Sequence, residues 1–214
     1  MLANTAINTQ RETFREADVI RVHGIISNGG ASVNAIPGEV IYDGRVRAKS
    51  IEALEPIAEK VIRCYRAGAL AVGASVEVQS IAGYHGLVQD PTMQKLFIEN
   101  AKLVLGRDSI SVVGASQTHG GSTDMGDLSK IMPVIHPYAN SASGVGHGHD
   151  YLIEDYEIAV VAPAKVMTAT VLDLLGNDAQ VARELLAKSN PAMTAEQYIS
   201  VQRSRFKTEL FEPS

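Results

Sequence analysis

At 214 residues and 22.9 kDa the chain is long enough to bury a sizeable core in one medium domain or two small ones, which excludes a mini-protein stapled by cystines. With 45% hydrophobic and 20% charged residues it is too apolar for a disordered chain. Its 19 Lys and Arg against 24 Asp and Glu leave a formal net charge of -5, so the electrostatic footprint of a nucleic-acid binder is absent.

In chain order, residues 4–15 read as a helix, 18–26 and 39–48 alternate as strands, 51–72 is helical, and 75–81 alternates again. The second of these helical patterns runs through Ile51, Leu54, Ala58, Val61, Ile62 and Tyr65, and it holds the one cysteine, Cys64, as a small core thiol. The order α-β-β-α-β lacks only a leading strand to make the ferredoxin-like β-α-β-β-α-β unit. Successive strand residues point to opposite faces. Ile20, Val22 and Ile26 of the first strand and Val40, Tyr42 and Val46 of the second therefore form an apolar face. The opposite face carries Arg21, His23, Arg45 and Arg47. Such a face suits a small carboxylate ligand; it is equally the composition of a solvated sheet surface. Between the two strands, the loop from Ser27 to Gly38 has three glycines and a proline, which lets backbone come close to another group.

From Pro91 a helix carries Met93, Leu96, Phe97 and Val104 on one stripe, and a short buried strand is expected at Ile110–Val113. Residues 114–149 concentrate seven of the 18 glycines and four of the six histidines, His119, His136, His147 and His149, beside Asp124, Asp127 and Asp150. A strand-like run from Ile131 to Ala139 separates two glycine-rich loops there. His147-Gly148-His149-Asp150 offers imidazole and carboxylate donors of the kind that hold zinc, or loop histidines bonded to backbone. The chain then returns through Tyr151–Val161 to a helix opened by Pro163, with further helices near 178–188 and 194–207. The longest apolar stretch, residues 158–175, is interrupted by Pro163, Lys165 and Asp173, and no signal-peptide pattern opens the sequence. No membrane span is expected, and a cytoplasmic location is.

Four runs occur in order: RVHGIISNGGASVNAIPGEVIYDGRVRA, YHG, GASQTHGGSTDMGDLSKIMPVIHPY and HGHDYLIEDYEIAVVAPAKVMTATVLDLL. Together they resemble the aminoacylase/dipeptidase family of two-metal amidohydrolases over nearly the whole chain, but match only its carboxyl-terminal half. The resemblance implies an α/β fold with an α+β lid. Residues 1–85 would be a ferredoxin-like dimerisation or lid domain lacking its first strand, and 86–214 the returning part of a zinc-peptidase-like catalytic domain. It implies that Asn34 and Arg47 hold a substrate carboxylate, that Asp124 orients within the active-site loop, that His23 tunes specificity, and that His147 is a metal ligand. Two divalent ions, zinc or else manganese or cobalt, would serve the complete enzyme. The substrates would be N-acyl amino acids, aryl-glutamates or dipeptides, the partner a second copy joined through the lid, and an amino-terminal half would act in trans. The family's H-x-D motif and paired glutamates, one of them the general base, have no counterpart in the 214 residues, so the chain alone is expected to be inactive. The other reading is a non-catalytic remnant that dimerises or binds carboxylates.

Overall fold

A computed structural model describes residues 1–106, 110–112 and 121–213. It mixes helices with small antiparallel sheets and divides into two compact units, Met1–Gly86 with Ser200–Ser214, and Leu87–Ile199.

In the first unit, helix α1 (Leu2–Gln10) runs on into two short 3-10 turns, Arg11–Thr13 and Glu16–Asp18, where one long helix over 4–15 was expected. Strands β1 (Arg21–Asn28) and β2 (Ile41–Arg47) then pair antiparallel, with Val22 opposite Val46, Gly24 opposite Gly44 and Ile26 opposite Tyr42. Helix α2 (Ile51–Leu70) begins at Ser50, whose hydroxyl accepts the Ala53 amide, and β3 (Val76–Ser80) follows it. Ile7, Val22, Ile57, Val61 and Cys64 form the core, with Phe14, Ile20, Val46 and Tyr65 packed against it. The two helices therefore cover the apolar face read from strand alternation. Its far end is left uncovered, since Ile26 is 50% and Val40 57% exposed beside the loop. The helices cross closely because Gly68 has no side chain: a Cβ there would lie 2.8 Å from the Ala3 nitrogen.

Paired glycines make the second close approach. A Cβ on Gly24 would lie 2.7 Å from the Tyr42 ring, and one on Gly44 would meet the Tyr65 hydroxyl. The two rings, 5.6 Å apart between centroids, fill the slot that the glycines leave.

Residues 194–207 were expected to close the chain as a helix. Instead α6 (Ala195–Ser204) stops, and β6 (Lys207–Phe211) pairs antiparallel with β3, Phe211 opposite Val76 and Glu209 opposite Val78. The Arg66 guanidinium of α2 lies 4.1 Å over the Phe211 ring and holds the strand down. Two two-stranded ladders result, β1-β2 and β3-β6, and no ladder joins them among the described residues. A ferredoxin-like sheet would join them through a strand between.

The second unit is built on α3 (Pro91–Leu105) packed against α5 (Ala162–Lys188). Asp90 caps α3 by accepting the Thr92 and Met93 amides at 2.9 and 2.8 Å, with Pro91 at the first position where its missing N–H costs nothing. The expected stripe on α3 is only half-buried; Asn100 and Ala101 are its buried residues, and Asn100 donates to Asp173 of α5 at 2.7 Å. Helical geometry breaks at Gly176–Ala179, which divides α5 near the expected start of a helix at 178. By length and composition alone the run Glu157–Lys188 is long and apolar enough to cross a membrane; Asp173 inside it accepts a hydrogen bond from Asn100.

Two expected strands are not seen. Ile131–Ala139 joins no ladder, since Pro133 and Pro137 remove two of the donors a strand needs; Val134 is nonetheless buried and its carbonyl accepts the Asp90 amide at 2.8 Å. Ile110–Val112 joins none either, Val112 being 61% exposed, while Val113 lies outside the described residues. Of the return through Tyr151–Val161 only Leu152–Ile153 is strand, followed by a π-helical turn at Glu157–Val161.

Candidate functional site

The open face of the β1-β2 hairpin carries the cations in two successive rungs. Arg21 stands opposite Arg47 and His23 opposite Arg45, with Ile25 opposite Asp43 on the next rung. Arg21, His23 and Arg45 are exposed and Arg47 is half-buried. The side-chain assignment made from alternation is thus the observed one, because the helices cover the other face.

Arg47 ends β2 at the pole of the ladder remote from the connecting loop, whereas Asn34 sits in that loop. Residues 29–40 are exposed throughout. Gly30 adopts φ +110° against Pro37, its amide donates to Asn28 Oδ1 at 3.3 Å, and the Ser32 hydroxyl donates to Asn34 Oδ1. Asn34 is therefore held by its own loop, and the ladder places it and Arg47 at opposite ends.

The second unit holds the other residues singled out. Strands β4 (Ala142–Ser143) and β5 (Leu152–Ile153) pair and close the loop that carries His147, His149 and Asp150, all exposed. Gly144, at φ +84°, allows the closure, since a Cβ there would collide with the Asp150 carbonyl. His147 itself is left-handed at φ +68°, a region that histidine tolerates better than most side chains. The Gly148 amide donates to the Val145 carbonyl at 2.7 Å and completes the turn. Asp124 begins the short helix α4 (Met125–Leu128); it is exposed, and the Thr123 hydroxyl donates to its Oδ1 at 3.3 Å. His119 lies outside the described residues.

Among the described residues no three His, Cys, Asp or Glu side chains come together to hold an ion, so the residues present do not fit a complete metal centre. His136 is a different case. Its Nδ1 is buried without a partner among the described residues, its amide donates to Gln89 Oε1 at 2.9 Å, and its ring stands edge-on to Tyr138 at 5.0 Å. His85, in the Tyr-His-Gly run, is 6% exposed. No spacing cue distinguished either from a loop histidine.

No family model matches the chain. It is similar to the Xaa-Arg dipeptidase of Mus musculus, with 33% identity over 183 residues, 82% of this chain and 41% of that protein. To the Xaa-Arg dipeptidase of Homo sapiens it is 35% identical over 163 residues, 72% of this chain and 37% of the other. The chain thus spans about two fifths of the length of these curated relatives.

Proposed function

The chain belongs to a dipeptidase-like family, and from that membership we propose that it is part of a metal-dependent hydrolase of peptide and amide bonds, supplying the substrate anchor rather than the catalytic base. The similarity to two Xaa-Arg dipeptidases over most of its length is the observation that carries this reading. The substrates are dipeptides, N-acyl amino acids or aryl-glutamates, each ending in a carboxylate. Arg47 anchors that carboxylate by a charge-assisted, two-pronged hydrogen bond, and Asn34, at the other end of the hairpin, is assigned to it by the family resemblance. Anchoring holds the scissile bond in one orientation, which is the contribution a binding residue makes to rate. Residues 1–85 act as a lid and dimerisation domain, and 86–214 as part of a metal-binding domain. His23 and Asp124 shape the site, and the protein works in the cytoplasm as a homodimer.

His147 is the residue we assign as a metal ligand. The remaining ligands for a pair of divalent ions, zinc or else manganese or cobalt, and the general base come from polypeptide outside these 214 residues, because the sequence has neither H-x-D nor paired glutamates. A second reading is a carboxylate-binding or dimerising module without chemistry.

The purified chain should bind N-acetyl amino acids, and Arg47→Ala should weaken that binding by about ten- to a hundredfold, the worth of one hydrogen bond to a charged group. With added zinc, cobalt or manganese it should not turn over N-acyl amino acids or dipeptides. Turnover that is abolished by His147→Ala would overturn the division of labour, and unchanged binding by Arg47→Ala would overturn the anchor.

A further inference from the structure

Of the eight asparagines in the chain, Asn28 is the one followed by glycine. It is the last residue of β1, it is exposed, and it stands opposite Ile41 just beyond the bulge at which Ser27 drops out of register. Its Oδ1 accepts the Gly30 amide at 3.3 Å, which turns the carboxamide along the chain toward the two glycines that follow. The same hydrogen bond draws electron density away from Cγ. The Gly29 amide, between them, donates to no group among the described residues, so neither a ladder nor a turn holds it back. Glycine brings no Cβ to screen the approach, and it alone takes the φ of +110° at position 30 without strain. An unheld backbone nitrogen, an unscreened path and a polarised side-chain carbonyl thus meet at one residue.

We propose that Asn28 is a self-modifying site, at which the Gly29 amide displaces ammonia from the side chain and a carboxylate takes the place of the carboxamide. Hydroxide removes the Gly29 N–H proton. The nitrogen then bonds to Cγ as the C=O pair moves onto Oδ1, where the Gly30 N–H meets the growing negative charge. Collapse restores the C=O and breaks the Cγ–Nδ2 bond, and Nδ2 takes a proton from water and leaves as ammonia; a cyclic imide remains. Water adds to one of the two ring carbonyls. Addition at Cγ breaks its bond to the Gly29 nitrogen and gives aspartate; addition at the backbone carbonyl breaks the peptide bond there and gives isoaspartate, with the chain running on through Cγ. Nothing is oxidised or reduced. Each event makes the chain more negative, and the isoaspartate branch lengthens the backbone at the root of the loop that carries Asn34. The site stands whether or not this hairpin binds a carboxylate.

Peptide mapping by mass spectrometry, on the purified chain aged at neutral pH and physiological temperature, tests this. The peptide holding Asn28 should take on the mass of the carboxylate, part of it labelled by an isoaspartyl methyltransferase, about tenfold or more faster than peptides holding the other asparagines. The rate should rise with pH, because the attacking nitrogen must lose its proton. Gly29→Ala should slow the reaction by about tenfold, the worth of one crowded approach. A Cβ there would lie 3.2 Å from Cγ2 of Ile26, a half-exposed side chain with room to give way, so the variant should fold. In urea, where the Gly30 hydrogen bond is lost, Asn28 should react no faster than in the folded chain. A rate at Asn28 equal to that of the other asparagines overturns the site without recourse to any variant. Faster reaction in urea overturns it too, since the fold would then shield Asn28, and an unchanged rate in Gly29→Ala overturns the Gly29 nitrogen as the attacking group.

Discussion

Burial beneath the hairpin pushes the Tyr65 hydroxyl up to about 12, reinforced by the neighbouring charges that Tyr42 and Cys64 would carry when ionised. Tyr65 is protonated in both states below about pH 10; between 10 and 12 the unfolded chain loses the proton first, so its contribution to stability falls as pH rises through that window. Urea midpoints measured from pH 9 to 12 should therefore drop more steeply for the unaltered chain than for Tyr65→Phe, and parallel slopes would contradict the burial of the hydroxyl. Cys64, one position before it, is buried as its helical spacing indicated, and burial raises its thiol as well. Residues whose placement follows from periodicity, such as Cys64 in the core and the four cations on the open face, were legible in this way. Asn34 and His147 were not: what each does depends on how an irregular loop turns, and side-chain spacing carries no record of a backbone at φ +68°.

Elements read from alternation were found with small shifts at their ends, and the hairpin register follows from matching the two apolar sets. Its least obvious part is the glycine pair. Gly44 looks from sequence like a strand weakness, whereas it is the seat of the Tyr65 hydroxyl. Gly44→Ala should destabilise the chain by about 1–3 kcal/mol, the usual cost of overpacking, read as a shift in the urea midpoint at unchanged slope. A neutral result would mean that the two tyrosine rings can move aside. The run Ile131–Ala139 went the other way: its apolar residues made it look like a strand, and its two prolines withdrew the donors that pairing requires. On α3 the stripe was visible, but the polar contact from buried Asn100 to Asp173 was not, because a hydrogen bond between residues so far apart in sequence leaves no periodic trace.

At the scale of the whole molecule the sequence gave no sign that residues 200–214 rejoin the first unit. The alternation of Lys207–Phe211 is short and says nothing of a partner. Phe211→Ala should cost about 1–3 kcal/mol, through the lost cation–π contact with Arg66 and lost apolar burial, measured by urea unfolding. Fraying of β3 in the variant, followed by hydrogen exchange at Val76–Ser80, would locate the loss; unchanged exchange would show that β6 does not secure it. The same pairing sets an order of events during synthesis. A ribosome makes α1, the hairpin, α2 and β3 early, yet β3 must wait, its edge bare and open to a stray strand, while the whole of Leu87–Ile199 is translated and the segment ending at Phe211 emerges. The first unit is thus finished only after the second has been made, and slow or interrupted translation between those points leaves the β3 edge bare for longer.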